Sequence, residues 1–264
     1  MPELVESINC PKCGGPLDIA VGTAIVTCPY CGTASRFRGD RPFVLRHGML
    51  AHRLDRAGAE DAIRSWMAGG VLKPDDLRAA SRLLALECVY VPFYVFEVDA
   101  TTAYAGVLTR TGTNERRTGT LERDYFWKVL GRRSGEFPVR EYKLPLAHKA
   151  PFDTASMIRE ARFLNAEIDE DEAGRIAREQ VEAHQRELLK DLVDVVEEAR
   201  TQVDVKDVEF LHAPLWFGSY AYGEKTYPIV LDAASGEVVR GEIPAPTGGF
   251  REFLRGAGRS LFGP

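Results

Sequence analysis

Four cysteines near the start of the chain, in Cys10-Pro11-Lys12-Cys13-Gly14-Gly15 and Cys28-Pro29-Tyr30-Cys31-Gly32-Thr33, carry the clearest chemistry in the sequence. Two CxxC pairs offer four thiolates that can meet at one tetrahedral cation. Each tight knuckle sets two sulfurs on one side, and Gly14 and Gly32 let the chain leave it through a conformation that a Cβ would crowd. Zinc is the expected ion, held by Cys10, Cys13, Cys28 and Cys31. Iron in a rubredoxin-like role and two disulfides are the alternatives. Met1-Pro2-Glu3-Leu4-Val5-Glu6 has neither the basic start nor the apolar run of a secretory signal, which argues against disulfides. A four-cysteine site fills every coordination position, so the expected role of the metal is structural and function lies in what the module touches.

The elements that must position these sulfurs are short. Leu17–Ala20 and Ala24–Thr27 flank Gly22 and read as a hairpin, with a third strand near Ala34–Phe37. Residues 1–40 are thus expected to form an all-β zinc ribbon.

At 264 residues the chain has room for the ribbon and one or two further units. A hydrophobic content of 45% with 28% charged residues places the rest among ordinary soluble domains. No apolar run approaches the ~18–20 residues that span a bilayer. The net charge of -5 is unevenly spread. Residues 36–56 hold six arginines against two aspartates, and residues 105–145 hold nine basic against five acidic side chains. Residues 152–210 reverse this, with eight basic against seventeen acidic. Such a mosaic favours a protein partner over a coat of nucleic acid. The fifth cysteine, Cys88, lies in an apolar run and is expected to be a buried small hydrophobe.

After the ribbon, Asp61–Met67 reads as an amphipathic helix stopped by Gly69-Gly70. A second helix is expected from Pro74 or Asp75, with Leu77, Ala80, Leu83 and Leu84 on one face. The pattern then turns to β. Val89–Val98 is a strand with Pro92 inside it, which implies an edge or a bulge, and Thr102–Leu108 should pair with it. Residues 109–147 supply turns and the strand Tyr125–Leu130. A long helix follows, with Asp169 and Glu172 as a capping-box-like start. Ile176, Ala177, Val181, Leu188, Leu192, Val195, Val196 and Ala199 form its expected apolar face. The acids 169–172 are explained by the positive end of the helix dipole. Strands return at 208–217, 220–223, 225–231 and 236–240.

A repeat is visible. Val91-Pro92-Phe93-Tyr94 followed by Tyr104-Ala105-Gly106 resembles Ala213-Pro214-Leu215-Trp216 followed by Tyr220-Ala221-Tyr222-Gly223. The expected fold is α+β: the ribbon (1–40), a first helix and β unit (41–150), and a long helix with C-terminal hairpins (151–247). The two body units form a pseudo-repeat of helix plus hairpin. Residues 248–264 make an amphipathic tail, with Phe250, Phe253 and Leu254 on one face and Arg251, Arg255 and Arg259 on another. That is the layout of a helix lying on anionic lipid or in a partner groove.

Among nucleotide-binding and hydrolase signatures, the sequence holds no GxGxxG, no phosphate loop, no HExxH and no GxSxG. His47, His52, His148, His184 and His212 are scattered; His47 and His52 are read as solvated and His212 as a satisfied core or edge residue. A non-enzymatic role is therefore expected.

Taken together, the two knuckles, the Val89-Tyr90-Val91-Pro92-Phe93-Tyr94 strand, the Ala213-Pro214-Leu215-Trp216 strand and the Ala234–Val239 hairpin resemble a group of uncharacterised bacterial and archaeal zinc-ribbon proteins. Their ribbons are similar to that of transcription factor IIB, and some carry a primosomal-helicase label. The closing hairpin is also similar to the last hairpin of PepSY-type domains. Several members of the group continue into transmembrane helices and are linked to phage-shock-type envelope-stress proteins. The resemblance implies a ribbon and an accessory role, at a membrane surface in some members.

The expectation is a cytoplasmic, non-enzymatic zinc protein that acts as an adaptor, peripheral to the membrane where the tail engages it. Tyr94, Trp216 and Tyr222 are its candidate partner contacts. The alternative is a nucleic-acid-binding protein that sets Arg36, Arg38, Arg41 and Arg46 on phosphates.

Overall fold

The computed structural model describes residues 8–17, 19, 22–38, 41–44, 46–70, 72–110, 112, 114–133 and 142–244. The expected amphipathic tail, with Phe250, Arg251, Phe253, Leu254, Arg255 and Arg259, lies outside these residues.

The cysteine region holds two small sheets. Strand β1 (Ile8–Asn9) pairs with β2 (Pro16–Leu17), and β3 (Ile25–Thr27), β4 (Ala34–Arg38) and β5 (Arg41–Val44) form an antiparallel triple. The expected third strand is thus β4. Asp18, Ala20 and Val21 of the expected hairpin lie outside the described residues; among the described ones Leu17 pairs with Ile8 and Ile25–Thr27 with Ala34–Arg36, which puts one knuckle between β1 and β2 and the other between β3 and β4.

The body is mixed α+β around one large sheet. Its elements are β6 (His47–Leu50), α1 (Arg56–Met67), α2 (Leu77–Ala80), β7 (Arg82–Leu108), β8 (Glu115–Leu130), β9 (Lys149–Pro151), β10 (Arg162–Phe163), α3 (Glu170–Leu188), β11 (Val195–Tyr222), β12 (Lys225–Asp232) and β13 (Val238–Gly241). Strands β7 and β11 pair antiparallel almost end to end, from Val195 opposite Val107 to Ala221 opposite Arg82. Several sequence boundaries shift as a result. The helix expected beyond Leu77 is the single turn α2, and Leu83 and Leu84 belong to β7. Strands expected at 89–98 and 102–108 are one continuous strand. The long helix stops at Leu188, and Val195, Val196 and Ala199 belong to β11. Apolar residues at mixed spacing fit either state, and pairing with a partner strand of equal length decides for β.

The middle of β7 is rich in β-branched and aromatic residues and is buried on both faces, which reads as a continuous apolar run. On one face Tyr94, Phe96, Val98 and Ala100 pack with Phe210 under α3, burying Ala173, Ala177 and Val181. On the same face further along, Leu86, Cys88 and Tyr90 pack with Trp216 and Tyr220 under α1, burying Ala59, Ile63 and Met67. The opposite face gathers Val89, Val91 and Phe93 with Ala213 and Leu215.

The two longer helices are each capped by an aspartate: Asp55 accepts the N–H of Gly58, and Asp169 that of Glu172. A short parallel strand flanks each long strand, β6 beside Phe210–His212 and β10 beside Val89–Tyr90. The antiparallel neighbours then begin at Phe93 (opposite Leu130 of β8) and at Leu215 (opposite Asp232 of β12). Pro92 and Pro214 each sit in the gap between the short strand and the hairpin partner, where no ladder needs their missing N–H. Pro92 is thus in a central strand with a locally open side.

Candidate metal centre

Both knuckles use the same backbone wiring. Gly14 N–H donates to Cys10 O at 2.8 Å and Cys10 N–H to Gly15 O at 2.8 Å; Gly32 N–H donates to Cys28 O and Cys28 N–H to Thr33 O, both at 2.9 Å. Gly14 and Gly32 have φ of 73° and 71°, the left-handed region where glycine is unstrained. The result is four sulfurs within 4.8 Å of one another. Cys10 Sγ lies 3.7 Å from Cys31 Sγ, and Cys13 Sγ lies 3.7 Å from Cys28 Sγ. A tetrahedron with metal–sulfur bonds of about 2.3 Å has edges of about 3.8 Å, so the group is sized to hold a metal ion. Burial pushes the Cys28 thiol up to about 12. At Cys31 burial also pushes upward, but hydrogen bonding with Thr33 and the neighbouring thiols Cys13 and Cys10 outweighs it and brings the group down to about 6. A cation entering here displaces the protons that remain.

Cys10, Leu17, Val26 and Cys28 form a small core under the sulfurs, while Ile25 and Ala34 join the body's cluster beneath α3. The module is therefore packed into the body. Ala24 and Ile25 donate their N–H groups to Ala166 O at 2.8 and 3.2 Å, and Thr27 N–H donates to Asn165 Oδ1 at 3.0 Å. Arg36, with only 13% of its side chain exposed, lies 3.0 Å from Asp171 and 3.9 Å from Asp169 at the start of α3.

The second knuckle is also tied through two histidines. His47 Nδ1 is 2.9 Å from Gly32 O, His47 Nε2 is 2.7 Å from His212 Nδ1, and His212 Nε2 is 3.0 Å from Leu164 O. Phe152 stacks on His47 at 4.1 Å and Phe163 lies 4.0 Å from His212. His47 is not the solvated residue that its arginine-rich neighbourhood suggests. Burial lowers it to about 4, and burial together with His47 lowers His212 well below its ordinary value. Sequence reading missed this pair because 165 positions separate its members and no local spacing links them.

The remaining sequence candidates scatter. Tyr94 is 1% exposed, with its hydroxyl donating to Ile168 O, and Trp216 is 3% exposed in the cluster under α1, so both are core residues. Tyr222 lies near the surface, its hydroxyl donating to Asp76 Oδ1 at 2.8 Å. Arg38 and Arg41 lie on β4 and β5 directly opposite each other, and Arg46 is exposed beside Asp207. Cys88 is buried as expected, which pushes its thiol up to about 12. Beside it a cleft of about 690 Å³, lined by His52, Asp55, Arg56, Glu160 and Trp216 among others, opens at the start of α1. Both signs of charge stand around it.

Among the described residues no helix is long and apolar enough to cross a membrane. The chain matches no protein-family model, no curated protein and no solved structure.

Proposed function

We propose that this is a zinc-ribbon adaptor that works through protein–protein contacts in the cytoplasm, with zinc as a structural ion. The observation that carries the reading is the four-sulfur group itself, whose ligands complete a tetrahedron and leave no position for a substrate. An ion with no open position stabilises a surface, and here that surface is welded to the body by Arg36, Ala166 and the histidine pair. Zinc is preferred over iron because it needs no redox partner and is the commoner ion of closed four-cysteine sites.

The body is read as a duplicated unit. The cap Asp55 followed by buried Ala59, Ile63 and Met67 of α1 has the spacing of the cap Asp169 followed by buried Ala173, Ala177 and Val181 of α3. Val91 and Ala213, matched in the sequence repeat, lie directly opposite each other, where a local twofold would pass. In this reading the first unit's helix covers the second unit's hairpin and the reverse.

Nucleic-acid binding is the weaker reading, since the ion pairs of Arg36 with Asp169 and Asp171 remove one of its phosphate contacts. The test is affinity purification of the tagged chain from related cells, with metal content read on the same sample. One zinc per chain with a single protein partner that survives a salt wash supports the proposal. RNA or DNA that leaves steeply with salt overturns it in favour of the alternative.

A further inference from the structure

Strand β8 is the outer strand of the sheet along its whole length. It pairs with β7 on one side; among the described residues no strand and no backbone–backbone hydrogen bond reaches the other, where the Arg123 guanidinium donates to Glu122 O at 2.9 Å. Helix α3 lies on one face of it, where Trp127 Nε1–H donates to Gln180 Oε1 at 2.9 Å. Natural sheets blunt such edges with bulges, prolines, charged side chains or a covering element, and of these β8 carries the charges. The register of β8 on β7 is unbroken over its 16 residues. It contains no proline, and its one lysine, Lys128, is near the inner end.

We propose that this edge is a homodimer interface, in which β8 pairs antiparallel with β8 of a second copy about a twofold axis through Gly119. Residues opposite each other in an antiparallel pair turn their N–H and C=O groups both toward the partner strand or both away. Alternate residues of β8 are already committed to β7, so two copies can meet only in registers whose axis passes through a residue. Through Gly119, Arg116 faces Glu122 of the second copy, Glu115 faces Arg123, and Thr118 faces Thr120. Both charged pairs are then of opposite sign, while Arg117 faces Leu121 and Asp124 falls opposite Asn114, just beyond the strand. An axis through Thr120 sets Arg117 against Arg123; one through Glu122, Arg123 or Asp124 sets that residue against itself. Axes through Thr118 or Leu121 make no opposite-charge pair. Axes through Tyr125 or Phe126 set Lys128 against Glu122 or Asp124, one opposite-charge pair each, so the register through Gly119 gathers the most opposite-charge pairs that β8 allows. Arg116 is exposed, and its present contact with Glu197 at 2.8 Å leaves it in solvent where it can be shared. At the axis Gly119 has no side chain, and the Tyr104 hydroxyl lies over it.

Sedimentation velocity on the full chain over a wide concentration range tests this, with Arg116→Glu and Glu122→Arg made separately. Each side chain is exposed, so the variants should fold, and circular dichroism checks that they do. The wild type should show a concentration-dependent dimer, and each variant should dimerise about tenfold less tightly, since two symmetric pairs turn repulsive. Mixing the two variants should restore dimerisation, because each copy then faces the opposite charge. A wild type that stays monomeric throughout overturns the proposal. So do variants that dimerise like wild type, or a mixture no tighter than its components.

Discussion

His47 and His212 touch through Nε2 and Nδ1 at 2.7 Å, and their outer nitrogens each face a backbone carbonyl, Gly32 O and Leu164 O. Carbonyls only accept, so three full hydrogen bonds along this chain would take three protons on four ring nitrogens. Two neutral rings supply two. The rings packed around the pair, Phe152, Phe163 and Phe210, bring no carboxylate to stabilise a third.

A pH dependence follows from the burial of the pair. Burial lowers His47 from 6.5 to about 4 in the folded chain, and burial with the neighbouring His47 lowers His212 well below its ordinary value. Between these limits the unfolded chain binds more protons, so stability is complete above 6.5 and is lost as the pH falls toward 4. His47 alone accounts for about 3 kcal/mol by this linkage. Urea midpoints measured from neutral to acidic pH should fall for the wild type. The double substitution His47→Gln with His212→Gln should flatten that fall. An unchanged slope would mean that the pair does not sense pH.

Metal removal should separate the sulfurs' role from that of Cys88. Cys10→Ser and Cys28→Ser are expected to lose the ion and loosen the N-terminal module, exposing Ile25 and Ala34 and so weakening the body beneath α3. Cys88→Ser should keep the full metal content and cost about 1–3 kcal/mol, from a hydroxyl buried among Leu86, Tyr90 and Trp216. Metal analysis beside thermal melts distinguishes the two classes.

The four-cysteine group and helix α3 were legible because their signals are local. Two knuckles of fixed spacing suffice for the first, and an aspartate cap followed by apolar residues at helical spacing for the second. The long strands were not. Leu77, Ala80, Leu83 and Leu84 keep a helical period, and only the register of Arg82 and Leu83 against Ala221 and Tyr220, far along the chain, tips Leu83 and Leu84 into a strand. The same holds for the seat of the cysteine module. Arg36 reads as a phosphate contact until Asp169 and Asp171 are brought beside it.

Gly106 sits opposite Val196, beside a register shift between the two long strands. A Cβ there would lie 2.4 Å from the backbone oxygen of Val195 and 2.8 Å from Val193 Cγ2. Backbone cannot step aside as a flexible side chain can, so Gly106→Ala should destabilise the chain by about 1–3 kcal/mol. Gly69→Ala, with open space around it, should change stability by no more than about 0.5 kcal/mol. Chemical denaturation of the two variants tests the contrast, and equal effects would show that β11 can shift.

Arg36 is the charge that lets an acidic helix start sit against the cysteine module. Glu170 is raised above its ordinary value by burial and by Asp171 and Asp169, while Arg36 alone pulls it back. Asp171 is well exposed, so the direct ion pair is discounted for solvent, and Arg36→Ala should cost about 1 kcal/mol at neutral pH. A carboxylate whose folded value is raised favours the fold when protonated, and without Arg36 that tendency grows. The difference between wild type and Arg36→Ala should therefore shrink as the pH falls below the carboxylate range. The losses that both proteins share through the histidines cancel in that difference. Limited proteolysis should also cut the variant's module faster than the wild type's at neutral pH, and equal rates would mean that Ala166 and the histidine pair hold it unaided.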